Sequence, residues 1–305
     1  MLGQLGRHRH GSGRTGLALC DGGVALACVQ YAGARPKLTH CAWEAIDDKR
    51  PLPRCIGRGA WTRSSAVAVM APGGYRLLLV EAPEVPKEEL RSALRWRIKD
   101  LIDFHIDDAV IDVFDMPAPA RGGLTRPLYA VAARAELVRR QIELLEDAGI
   151  ALDAVDIPEL CLRNVAASLE RDREGVALLY LAGDHGILVL ARAGVMYLTR
   201  RIEIGTASLR GVDDLPSELV ATLSLEVRRS LDYLESHYAQ TPVPRLHTVG
   251  VSTPDRAALA EELSIAVEDF SLADVLGVEC EPSPEVVHRC LPAIGAALRR
   301  GAAAH

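Results

Sequence analysis

The 305-residue sequence predicts an α/β protein built from two copies of one βββαβα unit, the first interrupted by a βαββαβ insertion. Three observations predict it. Each half opens on three apolar runs of strand length separated by turn residues, and each continues with alternating helix-period and strand-period segments. Between the opening runs of the two halves lies a stretch whose patterning changes in the order strand, helix, strand, strand, helix, strand.

In the first half the opening strands are Gly16–Cys20, Val24–Tyr31 after the turn Asp21-Gly22-Gly23, and Lys37–Ile46 after Ala34-Arg35-Pro36. Ala66–Met70 is a fourth strand, followed by the turn Pro72-Gly73-Gly74. The insertion then reads as strand Leu77–Glu81, helix Lys87–Ile102, strands Ala109–Asp115 and Leu128–Ala133, helix Ala135–Ala148 and strand Leu152–Asp156, the split ferredoxin-like order. Gly149 stands where a left-handed cap ends the second helix, and Pro158 opens the next helix, which runs to about Arg171.

The second half repeats the opening with Val176–Leu181, Gly186–Ala191 and Val195–Ile204, separated by Gly183-Asp184-His185-Gly186 and Ala193-Gly194. From Asp214 to Tyr238 the residues Leu215, Leu219, Leu223, Val227, Leu231 and Leu234 keep a helical period. A strand at Leu246–Val249, a helix at Pro254–Leu263, a strand at Ile265–Phe270 and a last helix at Pro284–Arg300 complete the pattern. Two RNase H-like units of this order facing each other across a cleft are the plan of the actin-like ATPase fold. The expected organisation is a disordered tail at 1–14, a first core at 15–76 plus 156–174, the ferredoxin-like insertion at 77–155, and a second core at 175–305.

Composition fits this plan and narrows the function. With 49% hydrophobic and 25% charged residues the chain can bury a sizeable core. A net charge of −6 gives no general attraction to nucleic acid, and no apolar run approaches the ~18 residues of a spanning helix. The opening MLGQLGRHRHGSGR has no apolar stretch after its charges and does not read as a secretory signal; its His8 and His10 lack a third ligand for a metal. The seven cysteines form no C-x-x-C and are odd in number, which suits reduced thiols in a cytoplasmic protein.

The helix of the insertion carries the clearest candidate surface. Leu90, Ala93, Leu94, Ile98, Leu101 and Ile102 define its buried stripe, and Trp96 falls nearly opposite. Lys87, Arg91, Arg95 and Lys99 form a basic row at intervals of four, so the outer side offers an indole framed by cations. Such a tryptophan either packs against a neighbouring subdomain or contacts a partner.

Several segments together resemble the PilM family, the cytoplasmic actin-like proteins of type IV pilus assembly, and most closely its MshI branch from the mannose-sensitive haemagglutinin pilus. They are VEAPEVPKEELRSALRWRIKDLIDFHIDDAVIDVFDMP, AELVRRQIELLEDAGIALDAVDIPELCLRN, YLTRRIEIG, LEVRRSLDYLESHY and LPAIGAALR. The similarity runs from about Thr15 to Arg299 and is most specific over Trp96–Asp108. It implies a non-enzymatic scaffold at the inner membrane, reaching the membrane only through partners. The partner it implies is the cytoplasmic N-terminal peptide of a bitopic PilN-like protein, received in a groove between the first core and the insertion. The pilus assembly ATPase is a second candidate partner. Arg91, Arg95, Trp96, Lys99 and Phe104 are the expected partner-binding residues. The cytoplasmic part of the type II secretion L component is a related alternative.

The same resemblance allows the nucleotide question to be put to individual positions. Ala18 stands where a metal-orienting Asp is expected, Cys20 where a glycine is expected, and Ala25 where a lysine often follows the turn. In the second loop the expected Asp-x-Gly becomes Leu181-Ala182-Gly183, with Asp184 displaced, and the nucleoside-side Gly-Gly becomes Gly250-Val251. Catalytic residues and a metal are therefore not expected. If ATP is retained as a structural ligand, Asp21, Gly22, Gly23, Gly183, Asp184, His185 and Gly250 would hold it. Without a ligand these are ordinary hairpin turns, with His185 a solvent-facing turn residue. Arg200 and Arg201 are expected beside the interdomain cleft, or else in surface ion pairs with Glu226 or Glu203. The competing function class is an active actin-like ATPase or small-molecule kinase, kept open by the acidic residues at both turns.

Overall fold

The computed structural model describes residues 13–20, 22–31, 33, 35–47, 52, 64–86, 88–120, 126–169, 174–209 and 215–299. The chain divides into two compact units, one of residues 1–116, 123–161 and 277–305, the other of 117–122 and 162–276. Among the described residues no helix is long and apolar enough to cross a membrane.

The first unit is built on a six-stranded sheet. β1 (Gly13–Cys20), β2 (Gly23–Gln30) and β3 (Lys37–Ala45) form an antiparallel meander. β4 (Ser65–Val69) runs parallel to β1, and the sheet order is β14-β3-β2-β1-β4-β8, where β8 is Leu152–Asp156 and β14 is Gly277–Val278. Cys20 pairs with Gly23 across the hairpin, and Gly22 takes φ +74°, the left-handed conformation that tight hairpin turns require. β1 begins three residues earlier than its apolar run, so Gly13 and Arg14, expected in the tail, belong to the sheet. The rest of the expected tail lies outside the described residues.

The last helix of this set, Pro284–Ala297, lies on β1, β2 and β3, not with the second unit where its position in sequence had placed it. Its small residues explain the choice. A Cβ at Gly16 would stand 1.8 Å from the carbonyl oxygen of Ala293, and one at Gly295 only 2.1 Å from that of Cys161. Backbone therefore meets backbone on both sides of LPAIGAALR. Tyr31 donates its hydroxyl to the Ala297 carbonyl at 2.6 Å, and Arg299 meets the buried Asp156 at 3.0 Å. Periodicity reports that a helix has a buried face; it does not report which sheet receives it.

The insertion contributes β5 (Tyr75–Glu81), α1 (Leu90–Ile98), a 3-10 turn at Ile106–Asp108, β6 (Ala109–Asp115), β7 (Pro127–Arg134) and α2 (Ala135–Asp147). The order βαββαβ is as expected, and Gly149 ends α2 at φ +79°. Its sheet has the three strands β5-β7-β6, however, because β8 pairs in parallel with β4 and so joins the larger sheet. Alternation along β7 divides two cores. Leu128, Ala130 and Ala132 face Leu94 and Ile98 of α1, while Val131 and Ala133 join Val138 and Leu145 of α2 and the apolar face of β1, β2 and β4. α1 is shorter than the Lys87–Ile102 expected. After Ile98 the chain turns, with Leu101 N–H bonded to the Ile98 carbonyl at 2.9 Å, and this lets Ile102, Phe104 and Ile106 pack back on the α1 core.

The helix α3 (Pro158–Ala166) leads from the first unit into the second and ends short of the Arg171 expected. The second unit carries a five-stranded sheet of order β11-β10-β9-β12-β13, from β9 (Val176–Leu181), β10 (Gly186–Arg192), β11 (Val195–Ile202), β12 (Arg245–Val249) and β13 (Ala266–Asp269). β9 and β10 are buried on both faces, which accounts for their unbroken apolar runs. α4 (Ser217–Tyr238) buries Val220, Leu223, Val227, Leu231 and Leu234, and α5 (Thr253–Leu263) is capped by Ser252, which accepts the Asp255 N–H. A short helix α6 (Leu272–Val275), absent from the sequence reading, precedes β14; the helix Pro284–Ala297 is α7. The orders β3-β2-β1-β4-β8 and β11-β10-β9-β12-β13 match strand for strand, three antiparallel and then two parallel. Duplication is thus written in the sheets.

Candidate functional site

The outer surface of α1 is shaped by what its core face consumes. Leu94 and Ile98 are fully buried against the three-stranded sheet, and a helix that commits those positions must turn position 96 outward. Trp96 is 76% exposed, the largest value among the exposed large hydrophobic residues described. Lys99 Nζ stands 5.8 Å from the centre of its ring. Leu101, which the sequence reading placed in the buried stripe, is 55% exposed because the helix has ended by then.

Two other cations of the row, Arg91 and Arg95, are engaged within the insertion. Arg91 pairs with Asp112 of β6 at 2.7 Å, and Arg95 donates to the carbonyls of Ile106 (2.6 Å) and Ala109 (3.2 Å), closing the 3-10 turn. These two arginines hold the scaffold beneath the indole. Arg97, not singled out from sequence, is exposed and reaches the Glu81 carbonyl at 3.2 Å, which ties the helix end to β5. Phe104 is half-buried in the α1 core with the Arg134 guanidinium stacked 4.6 Å from its ring. Lys87 lies outside the described residues. Of the five expected partner-binding residues, then, Trp96 and Lys99 are presented outward, and Arg91, Arg95 and Phe104 support them.

The two turns at the head of the repeated sheets are built from different materials. In the first, Ala18 is buried in β1, and Gly23 is a glycine because the Trp43 ring lies where its Cβ would be, at 2.6 Å. The Arg289 guanidinium lies over that ring, 4.3 Å from its centre. Asp21 lies outside the described residues. In the second, Leu181 is fully buried at the end of β9, and the loop is drawn shut by backbone bonds: Ala182 N–H to the His185 carbonyl (2.7 Å), Thr206 N–H to the Ala182 carbonyl (2.7 Å) and Ala207 N–H to the Gly183 carbonyl (2.5 Å).

His185 is buried, only 2% exposed, and corrects the expectation of a solvent-facing turn residue. Its Nδ1 meets Asp184 Oδ1 at 2.5 Å, and this hydrogen bond holds the Asp184 carboxyl below the usual carboxylate range, with burial opposing and the His185 and Arg201 charges assisting. The loop backbone crosses close to Gly205, where a Cβ would stand 2.4 Å from the His185 backbone nitrogen. Gly250, at φ +82°, forms the bend between β12 and α5. Just beyond it Asp255, which the sequence reading missed, is buried and accepts the Leu215 N–H and the Ser252 hydroxyl. Arg200 pairs with Glu226 at 2.7 Å, and Arg201 with Glu203 at 3.0 Å and Asp184 at 4.0 Å. Both ion-pair partners weighed from sequence are realised.

No family model matches the sequence, and no curated protein matches it. Solved structures do. The protein of the "PilM-PilN type IV pilus biogenesis complex" superposes with a TM-score of 0.68 at 19% identity, over 93% of this chain and 97% of that one. The cytoplasmic domain of EpsL, an inner-membrane component of the type II secretion system of Vibrio cholerae, gives 0.48 at 13% identity over 92% and 94%. At the first of these distances likeness speaks for fold, and it agrees with the duplicated sheets: the chain has the actin-like ATPase fold in the form seen in PilM.

Proposed function

We propose that this chain is a non-hydrolysing cytoplasmic scaffold of a type IV pilus assembly complex of the mannose-sensitive haemagglutinin type. In this reading it sits at the inner membrane by binding the N-terminal cytoplasmic peptide of a bitopic PilN-like protein. The observation that carries it is Trp96, a tryptophan 76% exposed on a helix whose opposite face is fully committed to its own sheet. Tryptophan gains most when a partner desolvates it, and Arg91 and Arg95 fix the helix so that little ordering cost remains at binding. The apolar residues Ala18 and Leu181, at positions where metal-orienting carboxylates are expected, favour a turnover that is negligible.

The test is titration of the full chain with the cytoplasmic peptide of the bitopic protein encoded beside it. Trp96→Ala is expected to weaken binding by at least about tenfold, the effect of a central interface aromatic, with the melting temperature unchanged. Binding that ignores the substitution would remove this surface from the interface. Steady phosphate release from ATP, abolished by Asp184→Ala, would restore the ATPase reading.

A further inference from the structure

The three-stranded sheet of the insertion has two edges, β5 and β6, and they differ in how their outward backbone groups are used. The ladder decides which groups those are. Ala82 N–H bonds to the Arg126 carbonyl at 2.8 Å, one step beyond the pair Glu81↔Pro127, so Ala82, Val80, Leu78 and Arg76 turn their N–H and C=O groups toward β7. The alternate residues of β5, Leu77 and Leu79 among them, turn theirs away from it. Carried across β7, the same alternation makes Val110, Asp112 and Phe114 the bonded residues of β6 and leaves Ala109, Ile111 and Val113 outward.

β6 closes much of its own edge. Arg95 donates to the Ala109 carbonyl at 3.2 Å, and Asp112 Oδ1 accepts the Val113 N–H at 3.0 Å. An edge whose groups are taken by side chains is a poor template for another strand. On β5, Arg97 takes the Glu81 carbonyl at the far end, but the N–H and C=O groups of Leu77 and Leu79 have no partner among the described residues. β8, which the βαββαβ order would set beyond β5, pairs with β4, and among the described residues no strand lies on that side. The strand there is regular in register and free of proline, and its Leu79 is 49% exposed.

We propose that β5 is a self-association edge, along which two copies of this chain pair antiparallel about a two-fold axis at Leu78. The register selects a second copy as the occupant. Rotation about that axis sets Leu77 of one copy opposite Leu79 of the other, and Leu79 opposite Leu77, so the open groups meet as hydrogen-bonded pairs. Leu77 of the second copy then covers the exposed Leu79, and Leu78 meets Leu78 on the other face. The charges agree with this register. Arg76 stands opposite Val80 and Glu81 opposite Tyr75, so no like charges are opposed. With seven residues of strand from each copy the contact is small, and the dimer is reversible. This inference goes beyond the partner reading and uses different residues, since Trp96 lies on α1.

The test is sedimentation equilibrium of the full chain over a wide concentration range, with amide hydrogen exchange read at single residues on both sides of the transition. The mass should rise from one chain to two. The Leu77 and Leu79 amides should exchange freely in the monomer and slow at least about tenfold in the dimer, while those of Leu78 and Val80 stay protected throughout. Leu79→Pro removes an outward N–H that the fold itself does not use, so this variant should fold and remain a monomer. Leu79→Lys keeps the N–H but adds a charge to the edge; it should weaken the dimer at least about tenfold and serves where the proline variant does not fold. A chain that is monomeric at every concentration, a dimer that survives both substitutions, or Leu77 and Leu79 amides that exchange alike in monomer and dimer would each overturn the proposal. So would a chain that stays monomeric and gains protection at these amides only with the cytoplasmic peptide of the bitopic protein, because the edge would then belong to that partner.

Discussion

The first turns of the two sheets occupy equivalent places in one repeated topology, yet packing sets the first and polar bonds set the second. In the first unit Trp43 packs on Gly23 with Arg289 over its ring, whereas in the second a buried His185, an exposed Asp184 and the crossing segment at Gly205–Ala207 hold the loop. A turn kept for phosphate needs free amides and an approachable glycine. Gly23 faces an indole, and in the second loop the Ala182 N–H is already bonded to the His185 carbonyl. The same strand order therefore survives on supports that no longer resemble each other.

The sharpest way to break this comparison is to add one methyl group to each support. Gly16→Ala would drive a Cβ to 1.8 Å from the Ala293 carbonyl, and Gly205→Ala to 2.4 Å from the His185 nitrogen; both neighbours are backbone and cannot rotate away. A loss of about 3 kcal/mol or more is expected for each by urea unfolding, with Gly22→Ala, which meets open space but needs φ +74°, costing only about 1 kcal/mol. If Gly205→Ala were nearly neutral, the second turn would be the softer of the two and better able to rearrange around a ligand.

These tight positions also show where sequence reading stops. The strands Ala109–Asp115, Leu152–Asp156 and Val176–Leu181 were legible to the residue, because alternation or an unbroken apolar run is a local property. Trp96 was legible as outward-facing for the same reason: angular position on a helix needs no tertiary information. The placement of α7 on the first sheet was not, since it depends on Gly16 and Cys161, more than 130 residues away in sequence from the small residues they meet. His185 was misread for a related reason. A polar turn sequence looks solvated until another segment, here the one at Gly205, closes over it.

Trp43 and Trp96 give the next contrast. Trp43 is half-buried beside Gly23 with Arg289 over its ring, and Trp96 projects from α1 with Lys99 near its ring. Trp43→Ala should cost roughly 2–3 kcal/mol, a partly buried aromatic truncation with a lost cation–π contact, while Trp96→Ala should stay within about 0.5 kcal/mol. Denaturant unfolding of both variants decides it. A large loss at Trp96 would make that residue part of the fold and leave the proposed partner surface without its anchor.

The smallest effect tests the polar support directly. Asp184 is depressed by its hydrogen bond to His185, so its folded value lies below the unfolded one and its contribution has a definite sign. Stability from this group is complete above the ordinary aspartate range and is lost as pH falls through the folded value. Asp184→Asn should therefore lower stability near neutral pH by less than about 1 kcal/mol, because the carboxylate is mostly exposed and solvent screens it. The gap between native and variant should close as the medium is acidified below the usual aspartate range, since both then carry a neutral side chain at position 184. A gap that stays constant down to acid pH would mean that the turn depends on hydrogen-bond geometry and not on charge. The second support would then resemble the first more than their chemistry suggests.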